Sequence, residues 1–155
     1  MIHVEQLRMN VIRPVLNAMG MYSQAAENLL IGTALHESKC KYLLQIDGPA
    51  LGLYQMEPAT HADLWRSYLL YRPTLAGKLW LWATRRETTG APHPDNNDLI
   101  GNLFYATAAA RAQYYRARPP LPDADDIQGL AEYWKDHWCK GCAGTVSQWV
   151  NSYID

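Results

Sequence analysis

A chain of 155 residues is long enough for one domain that buries its own core without crosslinks, and 48% hydrophobic with 19% charged residues excludes a disordered chain. Fourteen basic against fifteen acidic residues leave a net charge of −1, so no global charge recruits nucleic acid or an anionic membrane. No run approaches the roughly 18 apolar residues that span a bilayer, so no membrane insertion is expected.

The spacing of Leu7, Val11, Val15 and Met19 predicts a helix over 4–19 that stops at Gly20 and is kinked or split by Pro14. Ser23 is placed to cap a second helix, Gln24 to about Glu37, with Ala26, Leu29, Leu30 and Thr33 on its inner face. A loop or small hairpin follows over 39–52. Pro58 opens a helix over roughly 58–70, and Pro73 opens another to about Arg86. Glu87 to Asn97, with Gly90, Pro92 and Pro94, reads as a loop. Asp98 then caps a long Ala-rich helix to about Arg118, ended by Pro119-Pro120-Leu121-Pro122. Asp125 or Asp126 starts a helix to about Trp138, Cys139 to Gly144 make a turn, and Thr145 caps a last short helix. With no repeat and no linker, residues 1–155 read as a single all-α domain of about six to seven helices.

Glu37 stands out against this frame. It closes the apolar run from Leu29 to His36, at a helix C-terminus where the backbone dipole disfavours a carboxylate. Burial against apolar neighbours would raise its pKa further, as a proton donor to a glycosidic oxygen requires. A lone glutamate at a helix end is ordinarily a solvated residue, so the segment that follows matters. Glu37-Ser38 is succeeded by Gly48-Pro49-Ala50-Leu51-Gly52-Leu53-Tyr54-Gln55-Met56-Glu57-Pro58-Ala59-Thr60.

That combination resembles the lysozyme-like soluble lytic transglycosylases over roughly residues 25–155. Glu37-Ser38 matches the family's Glu-Ser pair and Gly52-Leu53-Tyr54-Gln55 its Gly-Leu-Met-Gln-like motif. Asn102 matches the Asn near the start of a later helix, and Tyr133 the C-terminal Tyr segment. The family's Ala-Tyr-Asn-Ala-Gly end is replaced by Glu132-Tyr133-Trp134-Lys135-Asp136, which lacks the Asn. Tyr133-Trp134-Lys135, followed by Gly144-Thr145-Val146, looks more like phage members.

The resemblance implies a lysozyme-like fold and cleavage of the β-1,4 bond between MurNAc and GlcNAc of peptidoglycan, with no cofactor. Glu37 would protonate the glycosidic oxygen and then act as base on the C6 hydroxyl, closing a 1,6-anhydro ring. Attack by water instead would be lysozyme chemistry. Ser38 would bond Glu37 or the sugar, Gln55 would reach the N-acetyl group or glycan, and Tyr54 and Tyr133 would supply a stacking wall and a phenol beside the acid. Each of these four has core packing or capping as its alternative. Glu57 offers a second carboxylate or else caps the next helix; Asp47 and Asp63 are further candidates for a water-activating base. A catalytically inactive lysozyme-like module that binds glycan, or a virion structural part, is the alternative from another class.

Other constellations compete. His36-Glu37-Ser38-Lys39-Cys40 imitates the His-Glu-x-x-His zinc motif, and with Cys139-x-x-Cys142 would make a Cys3His zinc site. Buried free thiols are the preferred reading, ahead of a disulfide between two of the three cysteines and of zinc, so no metal is expected. Cys40 with His36 or His61 is a candidate thiol pairing without a nucleophile context. Arg111, Arg116 and Arg118, interleaved with Tyr114 and Tyr115, read as a solvated helix face, with a glycan-groove or nucleic-acid edge as the alternative. The start lacks a basic region followed by an apolar stretch, so no secretory signal is read. The expectation is a phage endolysin or virion-associated enzyme, made in the host cytoplasm and acting on peptidoglycan strands in the periplasm or cell wall, with other virion or tail proteins as partners.

Overall fold

The computed structural model describes residues 1–85 and 90–155. The chain is mainly helical, and among the described residues its extended pairings are two isolated bridges, Leu44 to Leu51 and Leu51 to Met56. Helix α1 (Val4–Leu7) runs through a π-helical turn, Arg8–Ile12, into α2 (Arg13–Met19), which stops at Gly20 in the left-handed conformation (φ 69°). Pro14 therefore does not split the helix. In a regular α-helix its ring would press on the Asn10 carbonyl and its missing N–H would orphan an acceptor. The wider π-turn just before it absorbs both.

Helix α3 (Gln24–Ser38) begins where expected, with the Ser23 hydroxyl accepting from the Ala26 N–H at 3.0 Å. It is central rather than one-faced, because every residue from Ala26 to Ala34 is buried. Glu27 carries a charge into that core and is met by Arg8 at 2.7 Å and Arg13 at 2.8 Å, which bolts the first helix to α3. Gly32 lets the Trp149 indole of α9 (Val146–Ile154) lie directly on the α3 backbone, since a Cβ there would overlap the ring.

Pro58 and Pro73 open α4 (Pro58–Ser67) and α5 (Pro73–Trp82), separated by a 3₁₀ turn, Leu69–Tyr71. The helix expected to reach Arg86 ends at Trp82, where Ala83 is extended (φ −68°, ψ 145°). Arg86 and the first residues of the expected loop, Glu87 to Thr89, lie outside the described residues. Asp98 does not cap the Ala-rich helix. It sits in the short α6 (Asn97–Gly101) and accepts from the Thr84 hydroxyl and, at 3.2 Å, from the Thr84 N–H. The cap of α7 (Leu103–Tyr115) is Asn102, whose side-chain oxygen accepts from the Tyr105 N–H at 3.0 Å. Asp126 caps α8 (Ile127–His137), and Thr145 with Gln148 forms a capping box on α9.

Two apolar clusters share α7. One gathers Leu29, Leu30, Trp134 and Trp149 against Ala106 and Ala110; the other gathers Val15, Leu64, Trp65 and Leu79 against Ala108, Ala109 and Ala112. The alanine run is what allows helices to approach α7 closely on more than one side. The loop after α3 bridges the clusters, placing Leu53 and Tyr54 in the first and Met56 in the second. The site lies along that bridge.

Candidate active site

Helix α3 ends on two consecutive left-handed residues, Lys39 (φ 57°) and Cys40 (φ 50°), whose N–H groups donate back to the Leu35 and Ala34 carbonyls. This closure leaves Glu37 in the last turn. Its neighbour Ser38 is buried, and its hydroxyl faces the carbonyls of Leu53 (2.6 Å) and Ala34 (3.1 Å). Ser38 thus ties the Glu-Ser pair to the Gly52-Leu53-Tyr54-Gln55 segment and is spent on that join.

The segment itself is a tight turn with little room for substitution. Gly52 (φ 77°) lies against the Leu99 carbonyl, where a Cβ would overlap backbone atoms. Tyr54 is fully buried, and its hydroxyl shares a hydrogen bond of 2.8 Å with Thr107 of α7, which pins the turn to the central helix. Gln55 is held at a positive φ of 54°, a conformation costing roughly 1 kcal/mol for a residue with a Cβ. Its Nε2 donates to the Gly52 carbonyl at 2.8 Å, fixing the side chain. Such a held outlier is a candidate functional position.

Glu37, Gln55 and Glu57 line one cavity of about 330 Å³, at the small end of the range for ligand sites. Gln45, Thr60, Gln113, Trp138 and Lys140 line it too, so the walls are rich in amides and carboxylates with one indole. Burial pushes the Glu37 carboxyl up to about 7, against the stabilising donation of the Trp134 indole N–H to its Oε1 at 2.9 Å. Among the described residues no Lys or Arg forms an ion pair with Glu37 to offset the burial. A carboxyl protonated near neutrality, one edge fixed by a donor and exposed to a polar cavity, can give a proton to a bound oxygen and take one back.

The remaining expected residues fall elsewhere. The buried Tyr54 ring offers no face for stacking in the cavity. Tyr133 donates its hydroxyl to the Pro119 carbonyl at 2.9 Å and lines a different cavity with Arg111 and Tyr115. Asn102, spent on the α7 cap and on donation to the Trp82 carbonyl, borders a third cavity of about 720 Å³ that does not include Glu37. Asp47 is exposed on the loop, and Asp63 is engaged by Ser67 (2.7 Å) and Arg116 (3.1 Å) on α4.

Cys139 and Cys142 are joined as a disulfide at the cavity rim, while Cys40 is a buried free thiol whose pKa burial pushes up to about 11. The default of three free thiols is thus corrected at one pair, which the close turn before α9 brings together. Among the described residues no three of His, Cys, Asp and Glu converge as metal ligands. His36 packs edge-on to Trp134 instead, with ring centroids 4.5 Å apart. His61 is bonded to Asn96 (2.8 Å) and Tyr105 (2.6 Å), so neither histidine partners Cys40.

Sequence reasoning missed Gln45, Gln113, Trp138 and Lys140. Trp138 carried one usable signal, an aromatic residue just past a helix end and beside a Cys-x-x-Cys. The others come from elements whose meeting no local pattern announces. Comparison of the chain with protein-family models, with curated proteins and with solved structures finds no match.

Proposed function

We propose that the protein is a peptidoglycan-cleaving glycosidase of the lytic transglycosylase type, with Glu37 as its acid and then its base. The observation that carries this reading is the Glu37 carboxyl, held protonated to about 7 by burial beside a polar cavity that also contains the motif residue Gln55. Protonated Glu37 gives its proton to the glycosidic oxygen as the C1–O bond breaks, and the substrate's N-acetyl oxygen stabilises the cationic sugar. The resulting carboxylate takes the C6 hydroxyl proton while that oxygen bonds to C1, giving the anhydro ring and restoring the acid. Gln55 presents an amide to the N-acetyl group, and Trp138 offers its ring to a sugar face.

One observation favours a second reading. Glu57 lines the same cavity, and a second carboxylate can activate water for direct hydrolysis. Mass spectrometry of products from purified cell walls separates the two, since anhydro-muramyl ends mark the transglycosylase and reducing ends the hydrolase. Intact walls after prolonged incubation with folded protein would remove both and favour a glycan-binding or virion structural module.

A further inference from the structure

Among the described residues, Arg111 is a buried charge without a partner. It lies on α7 and is 8% exposed, and its Nε is buried without an acceptor. Among the described residues no carboxylate pairs with it, and its guanidinium carbon lies 5.4 Å from the centre of the Tyr115 ring. A buried guanidinium without an acceptor is unfavourable unless an anion completes it.

Its surroundings repeat the same sign. Arg111 lines a cavity of about 410 Å³ together with Arg72, Arg116 and Arg118, and no Asp or Glu is among the lining residues. Of these, Arg116 is shared with Asp63 at 3.1 Å, which leaves three guanidinium charges without a carboxylate partner among the described residues. Arg72 lies over the Tyr68 ring at 5.1 Å, so an aromatic side chain steers its head group. Tyr133 forms part of the wall with its hydroxyl turned to Pro119.

We propose that this cavity is a phosphate-binding site, independent of the Glu37 cavity, with Arg111 as its buried anchor and Arg72 and Arg118 closing over the anion. Three positive charges match a phosphate monoester, which carries close to two negative charges at neutral pH, better than a single carboxylate. The planar guanidinium of Arg111 suits bidentate contact with two phosphate oxygens. The phosphate can be free or borne on a larger molecule, and the chemistry that binds it is the same.

Calorimetric titration with inorganic phosphate, at fixed ionic strength maintained with chloride, tests this. One saturable site per chain is expected, with acetate binding more weakly. Arg111→Gln should weaken phosphate binding by about tenfold or more, since it removes a charge-assisted hydrogen-bonding partner. The double variant Arg72→Gln/Arg118→Gln changes only exposed residues, so it should fold normally and still bind more weakly, whatever the fate of Arg111→Gln. Glycerol 3-phosphate as a second titrant separates a site for esterified phosphate from one for the free ion, and tight binding of either supports the proposal. Binding of both phosphate and glycerol 3-phosphate no better than acetate, or binding undiminished in the double variant, would overturn it.

Discussion

Replacing Glu37 with Gln should stabilise the protein above neutral pH and leave it almost unchanged in acid. In the unfolded chain the carboxyl ionises at its ordinary value of 4.5, and in the folded chain burial holds the proton until about 7. The folded state therefore binds more protons across this window, so its stability is full below 4.5 and falls as pH rises through 7. A difference from 4.5 to about 7, at 1.36 kcal/mol for each pH unit, amounts to about 3 kcal/mol. The neutral Gln carboxamide keeps an oxygen for the Trp134 indole N–H and has no charge to bury. At pH 8.5 its midpoint of thermal unfolding should exceed that of the wild type by roughly 6–12 °C for a chain of this size, and at pH 4 by almost nothing. His61, whose pKa burial pushes down to about 4, has the opposite dependence: its contribution is full above 6.5 and lost as pH falls. It is present in both proteins and cancels in the difference. Thermal unfolding of the pair across pH 4–9 is the assay. A gain that is absent at pH 8.5, or equal at both ends, would refute the burial argument for Glu37.

Three other substitutions or treatments probe the frame. Glu27→Gln leaves the Arg8 and Arg13 guanidiniums without their shared carboxylate and should cost about 3–5 kcal/mol by denaturant titration at pH 7. Against the opposing effect of burial, those arginines hold the Glu27 pKa below its ordinary 4.5, so the wild type should keep this contribution above 4.5 and lose it progressively as pH falls below that value. Gly52→Ala drives a Cβ into the Leu99 carbonyl at a positive φ, and a loss of about 2–4 kcal/mol with a displaced Gln55 is expected in unfolding curves and amide spectra. Reducing Cys139–Cys142 opens a loop of sequence separation 3, so chain entropy limits the loss to about 2 kcal/mol, read as a small fall in the unfolding midpoint on adding a reductant.

Where local chemistry decides, the sequence was a good guide. Ser23, Pro58, Pro73, Asp126 and Thr145 mark helix starts because each acts through bonds or dihedrals within its own first turn. Asp98 misled, and the π-turn before Pro14 went unforeseen, because each outcome depends on something non-local or uncommon. A π-turn makes room for the proline, and Thr84, fourteen residues back, claims the aspartate. The site divides in the same way. Glu37, Gln55 and Glu57 meet because a helix end and the next tight turn are joined through Ser38, a relation that the motif spacing encodes. Tyr54 and Tyr133 share their residue type with sugar-stacking positions, but which face of a tyrosine meets solvent is settled by packing against α7 and the Pro119 segment. Gln113 enters the cavity from α7 for the same reason, and no pattern along that helix sets it apart.

The central claim is that Glu37 is the acid that cuts the glycan strand, and release of soluble fragments from purified cell walls tests it most directly. Wild-type protein should clear the suspension, and Glu37→Gln, folded and at least as stable at pH 7, should slow clearing by at least about a hundredfold, the usual scale for losing a general acid. Equal clearing by both proteins would contradict the assignment.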